Sequence, residues 1–84
     1  MYIFLRLHLL TLILRKNSIY ELSPELTTLG IVTLDLAHND LKEIMKLPKL
    51  EHLNISDNKL GSLNVGVSKR LKVLDVSRNP VRGC

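Results

Sequence analysis

Apolar and polar residues follow one pattern along this chain, and the pattern recurs four times. It reads L-x-x-L-x-L-x-x-N-x-L, with a further apolar residue three positions on. The first copy uses Leu9, Leu12, Leu14, Asn17, Ile19 and Leu22. The second uses Ile31, Leu34, Leu36, Asn39, Leu41 and Ile44. The third uses Leu50, Leu53, Ile55, Asn58, Leu60 and Leu63. The fourth uses Leu71, Leu74, Val76, Asn79 and Val81, with Cys84 at the sixth position. The starts at Leu9, Ile31, Leu50 and Leu71 lie 22, 19 and 21 residues apart. An amphipathic helix would place apolar residues at i, i+3, i+4 and i+7. The steps Leu12/Leu14, Leu34/Leu36, Leu53/Ile55 and Leu74/Val76 have period two instead, which predicts one short strand per copy.

A sustained period of this length predicts a stack of similar units, each unable to bury its own apolar face alone. Parallel strands need a crossover connection, and such crossovers are right-handed in nearly all cases. In each unit the two residues of the L-x-L step point inward and their neighbours point outward. The Asn sits where the chain turns away from the strand. Its side-chain amide both donates and accepts, so it can satisfy loop backbone groups that no sheet ladder reaches. Asn17, Asn39, Asn58 and Asn79 are therefore expected to form a structural ladder. The returns differ. Ser23 suits an N-cap, Pro24 the first helical position and Gly30 a helix end. Residues 23–29 are predicted as a short helical turn with Leu26 and Leu29 inward. Residues 45–49 hold Pro48 and predict a tight turn with Leu47 inward. Residues 64–70 contain Gly66 and two valines and read as irregular.

Over residues 9–84 this pattern resembles the leucine-rich repeat family. The resemblance implies an α/β fold: a right-handed solenoid, or horseshoe arc, with short parallel strands on the concave side and loops and short helical turns on the convex side. The repeats look like the short classes of about 20–24 residues, and the Gly-x-Ile-Pro step usual in plant receptors is absent. Residues 1–84 are read as a single domain of about four repeats: 9–30, 31–49, 50–70 and 71–84. Repeat arrays need terminal caps with a polar outer face. Neither end shows one, so a fragment of a longer array is expected, with self-association through uncapped apolar ends.

Charge and composition narrow the partners. The net charge of +4 is uneven: residues 1–20 carry three basic and no acidic side chains, and residues 67–84 carry five basic and one acidic. A nucleic-acid interface would need a basic stripe interleaved with aromatics. The aromatics are Tyr2, Phe4 and Tyr20, none on a predicted binding strand, and Lys69-Arg70-x-Lys72 reads as a solvated turn. No nucleic acid is expected. Residues 2–14 are apolar but lack a preceding basic region, are interrupted by Arg6 and His8, and meet Arg15-Lys16 where small residues would mark cleavage. They are also shorter than a membrane span requires. Cys84 is the one cysteine, so no internal disulfide forms. Asn79-Pro80-Val81-Arg82-Gly83-Cys84 resembles the Asn-Pro-x-x-Cys-x-Cys opening of extracellular caps, with the cysteine one position late and its partner missing. Asn54-Ile55-Ser56 is a glycosylation sequon of a kind that arises readily by chance. A reducing, cytoplasmic setting is expected, with an extracellular one left open.

No catalytic constellation emerges. His8, His38 and His52 are dispersed, no spacing matches a zinc site, there is no Gly-rich phosphate loop, and Cys84 has no base partner. No enzyme activity, metal or cofactor is expected. Strand neighbours lie about 4.8 Å apart, so equivalent positions stack into columns. The first column is Thr11, Thr33, His52, Val73, and the second is Ile13, Asp35, Asn54, Asp75. Next come Arg15, Ala37, Ser56, Ser77, then Lys16, His38, Asp57, Arg78. Asp35 and Asp75 would stand two rungs, about 10 Å, apart and accept Lys or Arg from a partner. His38 near Asp57 and His52 near Asp35 would make binding pH-sensitive. The resemblance implies a protein or peptide partner on the concave face. Thr33, Asp35, His38, His52, Asn54, Asp57, Val73, Asp75 and Arg78 are the candidates. Replacing Asp35 and Asp75 with Ala is expected to weaken the partner and leave stability unchanged. The alternative is a structural spacer or regulatory segment of a larger receptor, kinase or phosphatase assembly.

Overall fold

The period-two steps become four three-residue strands: β1 (Thr11–Ile13), β2 (Thr33–Asp35), β3 (His52–Asn54) and β4 (Val73–Asp75). The computed structural model describes residues 11–62 and 67–81. Leu9, Leu63, Cys84, the N-terminal apolar run up to residue 10, and Gly66 in the third return lie outside the described residues. The strands form one parallel sheet in the order β1-β2-β3-β4. The register aligns Leu12, Leu34, Leu53 and Leu74 across it. Each strand is thus beside its sequence neighbour, and a return loop carries the chain back after each rung.

The inward residues make one continuous core. Leu34, Leu36, Leu41, Leu50, Leu53, Ile55 and Leu60 are fully buried. Each contributes about 1.5–3 kcal/mol of transfer free energy. Burial is concentrated in the two middle rungs. Leu34 is 1% exposed and Leu53 2%, whereas Leu74 at the same position in the fourth rung is 38% exposed. Nearest-neighbour stacking explains the gradient, since a rung is covered only by the rungs beside it.

The helical turns expected on the return side reduce, among the described residues, to a single 3-10 turn at Pro24–Thr28. Ser23 caps it: its hydroxyl accepts from the Glu25 N–H at 3.3 Å. Gly30 follows with φ +66°, a left-handed conformation that favours glycine. Leu26 packs against the core, but Leu29 does not; it is 40% exposed. The inward placement of Leu29 is therefore corrected. The second return is shorter than the first and supplies nothing to cover it. That second return does bury Leu47, whose N–H donates to Val67 at 2.8 Å. Ser68 then ties the third return back, its hydroxyl donating to the Leu50 carbonyl at 2.7 Å.

The asparagines connect the rungs. Asn58 Nδ2 donates to the carbonyls of Leu36 in the preceding rung and of Ile55 and Ser56 in its own, at 2.9, 3.0 and 3.1 Å. Asn58 Oδ1 accepts from the Leu41 N–H at 3.0 Å. Asn39 repeats this, donating to Leu14, Leu36 and Ala37 and accepting from Asn17 and Ile19. Asn79 donates to Ile55, Val76 and Ser77 and accepts from Leu60. Asn17 donates to Leu14 and Arg15 and is exposed.

Asn39 and Asn58 are about 5% and 4% exposed, so the groups they satisfy have little water to turn to. Asn58→Ala should therefore cost roughly 1–3 kcal/mol in urea denaturation. Asn58→Asp should cost more at neutral pH, because a carboxylate there faces three carbonyls instead of donating to them. Asp proving milder than Ala would contradict the ladder.

Candidate interaction face

The outward residues of the four strands form an open face, and the chain itself already uses much of it. In the second column Asp35 Oδ1 accepts from the Ala37 N–H at 3.0 Å. Asn54 Oδ1 accepts from the Ser56 N–H and hydroxyl at 3.0 and 2.8 Å. Asp75 Oδ1 accepts from the Ser77 N–H and hydroxyl at 3.0 and 2.7 Å. Each is an acidic or amide side chain closing a local turn onto the residue two ahead, a geometry open to Asp and Asn. The expectation that Asp35 and Asp75 carry no structural burden is thereby corrected: one oxygen of each holds the strand end.

The third column is also corrected. Ala37 is 0% and Ser56 3% exposed, so both lie beneath the surface and offer nothing to a partner. The fourth column has an unexpected backbone. Lys16, His38, Asp57 and Arg78 have φ of 62°, 59°, 59° and 55°. All four occupy the left-handed region that non-glycine residues rarely adopt. The turn is held because their N–H groups extend the ladder: Lys16 donates to Ala37, His38 to Ser56 and Asp57 to Ser77, at 2.9, 3.0 and 2.9 Å. No hydrophobic period signals this turn. The one hint in the sequence is its place immediately before each ladder Asn.

Charges on the face pair with one another. His38 Nδ1 lies 2.6 Å from Asp57 Oδ2, and Arg78 Nε lies 3.7 Å from the same oxygen. Asp57 thus bridges the second and fourth rungs. Asp35 stands 3.7 Å from Arg15 and makes no ion pair with His52 among the described residues. Glu51 and Lys72 pair at 3.2 Å. These exposed pairs are worth about 0–1 kcal/mol each, but they reduce the field offered to a partner. Among the described residues, Thr11, Ile13, Lys16, His52 and Val73 are exposed and left open, with Thr33 half-buried beside them. Asn54 Nδ2 and the second oxygen of Asp75 make no hydrogen bond or ion pair among the described residues.

Residues 46–63 match the family model described as a leucine-rich repeat. They span the end of the second return and the third copy of the pattern, including the rung of Asn58. Over these residues the chain is similar to the leucine-rich repeat family. No curated protein and no solved structure matches it. Leucine-rich repeats generally mediate protein–protein interaction, and the family is typically non-enzymatic. A parallel sheet of consecutive, registered strands fits a repeat solenoid. No helix among the described residues is long and apolar enough to cross a membrane. No group of three or more His, Cys, Asp or Glu among them could hold a metal ion.

The repeat geometry also sets one titration. The Ser77 hydroxyl and N–H, then the charge of Arg78, hold the Asp75 carboxyl below the ordinary value of 3.8. A lowered carboxylate stabilises the fold above the ordinary value, and that contribution is lost as pH falls through the lowered one. Ser77→Ala removes the stronger of the two bonds. The Asp75 carboxyl should then titrate at a higher pH by NMR, part of the way back to 3.8. An unmoved titration would show that the hydroxyl has no such role.

Proposed function

We propose that the chain is a protein-interaction module: one array of four repeats over residues 9–84, curved into a right-handed arc, binding a protein or peptide on its concave strand face. The observation that carries this reading is the open outward face of β1 to β4. Exposed apolar groups at opposite corners, Ile13 at 62% and Val73 at 54%, flank the polar residues His52 and Asn54. Apolar anchors beside oriented polar groups are what a specific interface needs. The first two columns then do the recognition, through Thr33, Asp35, His52, Asn54, Val73 and Asp75. In the fourth column His38, Asp57 and Arg78 hold one another in place and meet the partner as a neutralised edge. A consequence is modest salt dependence, because the face charges are largely paired before the partner arrives.

The internal pairing also lends weight to a spacer reading, in which recognition lies elsewhere in a larger assembly. The two separate in one experiment. Peptides selected from a displayed random library on the immobilised chain would be measured against the double variant Ile13→Lys/Val73→Lys, with Lys46→Ala as a return-side control. Neither exposed apolar residue is part of the buried core, so the fold should persist by circular dichroism. A loss of about tenfold or more in affinity, absent in the control, is expected. Unchanged affinity in the double variant would remove the strand face as the binding surface and leave the spacer reading.

A further inference from the structure

A second surface lies on the return side, away from the strand face. Successive repeats drop in length from 22 to 19 residues between the first and second return. The longer return carries the 3-10 turn Pro24–Thr28; the shorter one runs past Pro48 without a helix. The step between them leaves a notch of about 100 Å³. Leu26, Ile31, Leu47 and Pro48 supply its apolar lining, and Thr27 and Lys49 its polar one. Leu29, which follows the turn at the same step, is 40% exposed. The volume is that of one aliphatic side chain.

Lys49 gives the notch a sign. Its stem runs beside Gly30, with Cδ and Nζ about 3.6 and 3.9 Å from where a Cβ on that glycine would stand. Lys49 thus lines the notch beside Gly30, is exposed, and forms no ion pair among the described residues. A cation over an apolar step is complementary to an aliphatic side chain with a carboxylate beside it.

We infer that this notch is a docking site for a partner's C-terminal leucine, its side chain in the step and its terminal carboxylate on Lys49. The mechanism is apolar burial in the step plus one charge-assisted contact to Lys49. It is independent of the strand face and can operate with that face occupied.

The test uses N-acetyl-leucine and N-acetyl-leucinamide as probes on the whole chain, followed by NMR of backbone amides and methyl groups. The acid should bind saturably in the millimolar range, the order expected of so small a ligand. Its shifts should be confined to Leu26, Thr27, Ile31, Leu47 and Lys49. The amide should bind about two- to fivefold more weakly, the scale of one exposed ion pair. Lys49→Met should make the two probes equal and leave the fold intact. Shifts spread over the surface, no saturation, or equal binding of acid and amide to the unaltered chain would overturn the proposal.

Discussion

The hydrogen bonding of the ladder asparagines is the constraint on which the rest of the structure depends. A three-residue strand satisfies few backbone groups, and the chain leaves it through a left-handed turn. Of the carbonyls at that bend, Leu36 and Ile55 accept from no ladder N–H, while Ser56 also accepts from His38. Asn58 serves all three and takes the Leu41 N–H in exchange. A side chain with donor and acceptor on one short planar group can do this; a carboxylate or a hydroxyl cannot. The bonds also run between rungs, so each Asn sets the spacing of its neighbour as well as its own turn. Core packing of Leu34, Leu36, Leu53 and Ile55 then adds the bulk of the stabilisation, in a register that the amides hold.

The same turn decides what the open face can present. Because residues 16, 38, 57 and 78 are left-handed, their side chains come from the bend and not from the flat sheet. His38, Asp57 and Arg78 are consequently close enough to pair across three rungs. Because Asp35, Asn54 and Asp75 each close a turn two residues on, half of their polar capacity serves the fold. What the scaffold does not consume on this face includes Ile13, His52, Val73 and the remaining polar atoms of the second column. Under the proposed function, fold and binding would draw on the same short repeat.

Much of this was legible in the sequence, for identifiable reasons. Period-two apolar steps place the strands to within about a residue, and the fixed offset from step to Asn places the bend. Ser23, Pro24 and Gly30 mark the one helical turn through capping chemistry that is local by nature. Leu29 was not legible as exposed. Residues three apart in a 3-10 turn eclipse one another, so Leu26 and Leu29 look alike in sequence. Leu29 is left bare because the next return is too short to reach it, which is a fact about two segments together. The ion pair of Asp35 was not legible for a related reason: proximity in columns does not say which of several cations a carboxylate meets, and Arg15 reaches it rather than His52.

The sequence by itself determined the strand steps, their register and the inward leucines of each step, because those follow from periodicity and from the hydrogen-bonding capacity of one amide. Tertiary structure alone decided which outward residues are spoken for. Ala37 and Ser56 sink beneath the surface, Asp57 joins His38 to Arg78, and a three-residue difference between returns opens a notch beside Lys49. Each of these depends on where a neighbouring repeat comes to rest against its own, and a distance between rungs is set by packing that no single repeat encodes.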